Sequence, residues 1–166
     1  MNKKAEAFQA YLEKAGIEAF EMEDMHDDEL HTIIFRTFIE AEGAKLPMIF
    51  VLDDTIYGSI RVLVAPKVLK ETNEKALYQL INEYNRMYKS FKYCIDEEGA
   101  LLLDVCYISD EEVNGEIVSA LFDVIIQHME EAYKKSCRPF GTKRCPERVA
   151  SLARSSFYMN EALSEI

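Results

Sequence analysis

Ala7, Phe8, Tyr11, Leu12 and Ala15 recur at the spacing of one helix face, and Gly16 follows as a stop. This pattern predicts a helix over residues 3–15. A strand over 17–23 and a polar stretch over 24–29 come next. Over 32–42 the period changes to two, with Ile33, Phe35, Thr37, Ile39 and Ala41 on one side. Ile34, Arg36, Phe38 and Glu40 lie on the other, so the second side is only partly polar. Residues 48–52 are continuously apolar, as for a central strand, and Pro47 is placed at the start, where a missing donor costs least. After a turn at Asp53-Asp54, Ile56, Gly58, Ile60, Val62 and Val64 alternate with Tyr57, Ser59, Arg61 and Leu63. The short connections imply an antiparallel meander.

The next segment reads as a helix capped by Asn73, with Ala76, Leu77, Leu80, Ile81, Tyr84 and Tyr88 on one stripe. A hairpin follows. Tyr93 and Ile95 share a face with Leu101, Leu103, Val105 and Tyr107 only if Ile95 faces Leu101 and Tyr93 faces Leu103. That register leaves Glu97-Glu98-Gly99 as the loop, with Gly99 at its left-handed position. It also keeps Cys94 and Cys106 from being cross-strand partners. Residues 109–112 read as a capping box. The helix after it carries Val113, Ile117, Leu121, Ile125 and Met129, is weakened in its first turn by Asn114-Gly115, and runs to about residue 135. Pro139, Gly141 and Pro146 mark a linker, and residues 147–163 read as one further helix.

The predicted order is α-β-β-β-(β)-α-β-β-α plus a helical tail. Grouped strands give an α+β fold, an antiparallel sheet of meander plus hairpin with helices packed on it. The expected division is a domain over 1–136 and a basic extension over 137–166.

Charge sharpens that division. The chain of 166 residues has a net charge of -11. Residues 1–133 carry 12 Lys/Arg against 27 Asp/Glu, whereas 134–154 carry seven Lys/Arg against Glu147 alone. An acidic body argues against nucleic acid as the partner, and contact between the basic tail and the body is electrostatically easier. No apolar run approaches the roughly 20 residues of a membrane helix. The first helix is amphipathic, unlike a signal peptide, so a cytoplasmic protein with reduced thiols is expected.

Residues 80–108, LINEYNRMYKSFKYCIDEEGALLLDVCYI, resemble the bacterial YbjN family of proposed sensory-transduction regulators. The shared features are a helix ending in a short Asn-containing segment, a strand, an acidic turn ended by Gly, and a second apolar strand. The element order over 3–135 is also similar to class I chaperones of type III secretion. These resemblances imply a chaperone-like α+β domain, often dimeric, that holds protein segments without ATP. The basic tail is not expected from either group.

Candidate chemistry is sparse. His26, His31 and His128 are scattered, and no Ser or Cys sits in a nucleophile motif, so no catalytic residue is named. The acidic run 23–29 lacks the spacing of a calcium loop. Cys137, Cys145 and His128 lack a zinc pattern, and no glycine loop cradles phosphate, so neither metal nor cofactor is expected. Ile34, Phe38, Tyr57 and Leu63 remain, on the second face of the sheet. If helices cover one face only, these four form a patch for a client or a second copy of the chain. The competing expectation is a small-ligand or enzymatic domain with a pocket between sheet and helices, lined by Tyr and Cys.

Overall fold

The computed structural model describes residues 2–41, 43–109 and 112–137. The expected tail helix over 147–163 lies outside them. The elements are α1 (Lys3–Ala15), β1 (Glu21–Asp24), β2 (Ile33–Ala41), β3 (Ala44–Leu52), β4 (Tyr57–Ala65), α2 (Glu74–Met87), β5 (Lys92–Ile95), β6 (Leu101–Ile108) and α3 (Gly115–Cys137). Among the described residues the strands form one antiparallel sheet in the order β1-β2-β3-β4-β6-β5. The α+β reading and its element order hold, and the hairpin extends the meander by laying β6 on β4.

All three helices contribute to the core on one side of this sheet. Phe8 and Leu12 of α1, Leu77 and Tyr84 of α2, and Val118, Phe122, Ile125 and Met129 of α3 meet Phe35, Phe50, Val62, Leu103 and Val105 there. The start of α1 is fixed by polar contacts. The Asn2 side chain accepts from the Ala5 N–H (2.8 Å) and donates to the carbonyls of His31 (2.8 Å) and Leu52 (3.0 Å). The buried Lys4 ammonium donates to the carbonyls of Thr55 and Tyr57, at 2.6 Å each. These bonds tie the first turn of α1 to the loops beside β2, β3 and β4, and Gly16 ends the helix with φ 67°.

The first strand is shorter than its sequence suggests, because Ile17 and Phe20 turn into the core and pairing begins only at Glu21. The ring of Phe20 lies 5.8 Å from that of Phe8 and 5.6 Å from that of Phe122. Pro47 is not at a strand start: β3 begins at Ala44, and Pro47 faces Phe38 inside the β2–β3 ladder. The β3–β4 ladder starts only at Met48, so the missing donor falls where no β4 partner waits.

Asn73 holds the N-cap position of α2 but makes no capping bond. Its side chain turns back, accepting from the Lys70 N–H and donating to the Val68 carbonyl. The hairpin register is the predicted one, Tyr93 facing Leu103 and Ile95 facing Leu101, with Gly99 at φ 77°. Cys94 faces Leu102 and Cys106 faces Ser59, and both thiols are free.

The predicted start of the last helix is wrong. The helix begins at Gly115, and Asn114 caps it by accepting from the N–H groups of Glu116 and Ile117. Asp110 and Glu111 of the expected capping box lie outside the described residues. The predicted stripe holds in part: Val113, Ile125 and Met129 are buried and Leu121 packs against the core, but Ile117 is 52% exposed. A strict four-residue spacing overshoots a full turn by about 40° per step, so the residues drift around the helix and Ile117 falls off the core face. Among the described residues the buried apolar positions of the helix are Val118, Phe122, Ile125, Met129 and Ala132, joined by His128.

Gly115 is required by packing rather than by backbone conformation, since a β-carbon there would lie 2.1 Å from Cγ of Tyr11. Ala is ordinarily the better helix former, yet Gly115→Ala is expected to destabilise the fold by about 1–3 kcal/mol through overpacking. Urea denaturation checks this, and adding Tyr11→Ala should recover part of the loss.

Candidate functional site

The second face of the sheet carries no helix among the described residues. Three cross-strand rows fill its middle, and the registers define them. One runs Glu23, Ile34, Val51, Ser59, Cys106, and the next runs Glu21, Arg36, Ile49, Arg61, Asp104, Lys92. A third holds Phe38 facing Pro47 and Leu63 facing Leu102, with Cys94 beyond. Ile34, Ile49, Val51, Leu63 and Leu102 form a second, smaller apolar cluster, against which Met25 and Cys94 pack.

The four residues of the sequence-named patch all lie on this face, in two environments. Ile34 and Leu63 are buried within the second cluster. Phe38 is 54% and Tyr57 44% exposed. Phe38 is level with Pro47, whereas Tyr57 lies one residue beyond the Gly58–Leu52 pair. The separation is six residues, about 20 Å along the strands at about 3.3 Å per residue. The exposed partner facing Tyr57 is Ile108, which sequence reasoning did not single out. Alternation along β6 could have found it.

Charge organises the middle row. Nε and Nη2 of the buried Arg61 each bond one oxygen of Asp104 at 2.7 Å, a fork-on-fork pairing. Arg36 binds Glu23 from Nε at 2.7 Å and from Nη2 at 2.5 Å. The two arginines flank Ile49, so their alkyl stems lie on apolar neighbours while the heads stay paired. The Cys94 thiol lies 3.6 Å from Asp104. Burial, then the neighbouring carboxylate, push that thiol up to about 12, opposite to what a nucleophilic cysteine requires.

His128, one of three scattered histidines in the sequence, has a structural role on the helix side. Its ring is buried among four aromatics, with centroids 4.4 Å from Tyr88, 4.5 Å from Phe91, 5.5 Å from Tyr84 and 5.8 Å from Tyr93. Nε2 lies 2.8 Å from the Tyr93 hydroxyl, and Nδ1 is buried without a hydrogen-bond partner. Burial holds the imidazole down to about 4, so the ring is neutral at physiological pH. Only a fold that docks α3 on the segment 84–93 reveals this box.

The remaining candidates are absorbed locally. Asp28 accepts from the N–H groups of Leu30 and Thr32 and from the Thr32 hydroxyl, so it organises a turn. Burial alone would raise its carboxyl, but those bonds and nearby His31 outweigh burial and leave it lowered. Among the described residues no three His, Cys, Asp or Glu side chains are grouped to hold a metal. Cys145 lies outside them. A shallow groove occurs on the outer side of α2, lined by Glu71, Glu74, Lys75, Tyr78, Gln79 and Asn82. The sheet–helix interior, where a ligand pocket was the competing expectation, is packed with the rings and aliphatic side chains of the core.

These features define a one-sided α+β sheet domain whose two arginines on the helix-free face are held in ion pairs. The family comparison goes a step further. A family model matches residues 4–137, and the chain belongs to the YbjN family, described as "Putative bacterial sensory transduction regulator". No curated protein matches it. That description is consistent with a regulatory domain. No helix of the described residues is long and apolar enough to cross a membrane.

Two outcomes follow from the buried groups. An unfolded imidazole takes its proton near 6.5, while folded His128 takes it only near 4. Between those values the unfolded chain binds more protons, so stability falls as pH drops through that window, by about 3 kcal/mol in all. Chemical denaturation at stepped pH measures this, and His128→Phe should flatten the dependence. Separately, Asp104→Ala should cost about 3 kcal/mol because it strips the bidentate partner from buried Arg61. The double change Arg61→Met with Asp104→Leu should cost less than Asp104→Ala alone in the same assay.

Proposed function

We propose that this chain is a non-catalytic, protein-binding regulator, cytoplasmic and homodimeric, that works through the helix-free face of its sheet. Ile34, Phe38, Tyr57 and Leu63 are its contact residues, two as exposed anchors and two as the buried floor. One observation carries this reading: large apolar side chains (Phe38, Tyr57 and Ile108) stand exposed on the face that no described helix covers. Exposed aromatic anchors over a rigid apolar floor suit a protein partner. The family's regulatory description supports the same class of function. The likeness to secretion chaperones favours an extended partner chain held without ATP. The net charge of -11 disfavours nucleic acid.

Light scattering coupled to size exclusion tests the dimer. The expected mass is twice the 19.1 kDa of one chain. Phe38→Asp with Tyr57→Asp should give a monomer with little change in thermal unfolding, because both side chains are exposed in the single chain. A wild-type chain that runs as a monomer across the micromolar range refutes the dimer. A variant that stays dimeric refutes this face as the interface.

A further inference from the structure

The long helix α3 is held differently along its length. Its cap and first half are tied to the body by polar contacts. The Asn114 N–H donates to the Tyr107 hydroxyl at 3.1 Å, and the Ser119 and Tyr11 hydroxyls meet at 2.9 Å. Phe122 then closes on Phe8 and Phe20, with ring centroids 6.4 and 5.6 Å away. Beyond Phe122 the helix lies by the end of α2 and β5, where it inserts buried His128 among Tyr84, Tyr88, Phe91 and Tyr93. That box has its own internal ties. Asn85 accepts from the Tyr93 N–H at 2.7 Å and donates to the Tyr93 carbonyl at 3.0 Å. The Lys92 ammonium donates to the carbonyls of Asn85 and Tyr88. The ring of Tyr84 lies 5.3 Å from that of Tyr93, and the ring of Tyr88 lies 4.7 Å from that of Phe91. None of these contacts runs through α3, so the box keeps its shape when the helix leaves.

Protonation changes what the box must hold, because both ring nitrogens of an imidazolium are donors. Nε2 has the Tyr93 hydroxyl at 2.8 Å, but Nδ1 is buried and no described residue pairs with it. The groups facing the ring offer no counter-ion. From α2 come the phenols of Tyr84 and Tyr88, and from β5 and its approach come Phe91 and Tyr93. The charge bound at the end of α2 is the Lys92 ammonium, itself a cation. The acids flanking His128 on its own helix, Asp123, Glu130 and Glu131, are exposed, whereas His26 and His31 each pair with an aspartate. Aromatic faces attract a cation, yet they do not replace the water lost by a charged N–H. We propose that α3 from Ile125 to Ala132 is a proton-released cover: protonation of His128 lifts this part of the helix off the box, while the sheet and the helix up to Phe122 stay folded. Opening uncovers an aromatic surface on the helix side, distinct from the helix-free face. Such a cover makes a single chain responsive to acid and does not depend on the dimer.

Amide hydrogen exchange followed by NMR on the full chain, corrected for the intrinsic effect of pH on exchange, tests this. The amides of Ile125 to Ala132 are expected to share one opening constant, larger than those of Phe50 in β3 and Phe122 in α3. An exposed imidazole titrates near 6.5 and the boxed one near 4, so the closed form binds fewer protons between those values. Lowering the pH from about 7.5 to about 5.5 should therefore raise the shared constant about tenfold. His128→Phe keeps a ring in the box and should remove that rise. Exchange of these amides no faster than that of Phe50 overturns the proposal. So does a set of constants that merely grades toward the end of the helix, as fraying would give. A shared constant that ignores pH, or a rise that survives His128→Phe, overturns the role of the imidazole. The wild-type pH series decides the question even if the variant does not fold.

Discussion

The ring of Phe8 is where the helical layer and the sheet are joined. It is fully buried, and its centroid lies 4.9 Å from Phe35 and 5.0 Å from Phe50, each nearly edge-on at 88°. It also meets Phe20 and Phe122, so one side chain on α1 touches the approach to β1, the strands β2 and β3, and α3. Edge-to-face pairs of this kind contribute about 0.5–1.5 kcal/mol each beyond area burial. The polar ties of Asn2 and Lys4 set the angle at which α1 presents that ring. Phe20 is drawn into the same cluster, and this delays the start of β1 to Glu21. The incomplete edge of β2 is thus a consequence of core packing.

Much of this was legible in the sequence because it rests on periodicities that local residues enforce. The 3–15 helix was readable from its stripe and Gly16, and the hairpin register from shared-face alternation together with Gly99. The misreadings have a common cause, since each local signal was overruled by a tertiary partner. Asn73 offers a capping oxygen, but Lys70 and Val68 take its side chain. Ser109 opens a capping motif, yet the backbone there still extends the ladder, with the Ser109 N–H bonded to the Ile56 carbonyl. Asn114-Gly115 reads locally as a weak first turn, whereas Asn114 is the cap and Gly115 leaves the space that Tyr11 occupies.

The candidate site was legible only as a face. Alternation placed Ile34, Phe38, Tyr57 and Leu63 together, but burial depends on the neighbours across each strand. Leu63 faces Leu102, from a hairpin some forty residues later, and Ile34 is two residues from Arg36, whose partner is Glu23 on β1. Pairings of this range carry no local signal. The His128 box is the extreme case, since its walls come from 84–93 and its occupant from a helix beyond the hairpin.

One-sided coverage has a consequence for how such a domain can work. The helix side concentrates its aromatic rings in a sealed core. The opposite face is held by arginine–carboxylate pairs, which tolerate water at their margins as aliphatic packing does not. A face built in this way stays ordered without a covering layer, so exposed aromatics can stand on it at little cost to the fold.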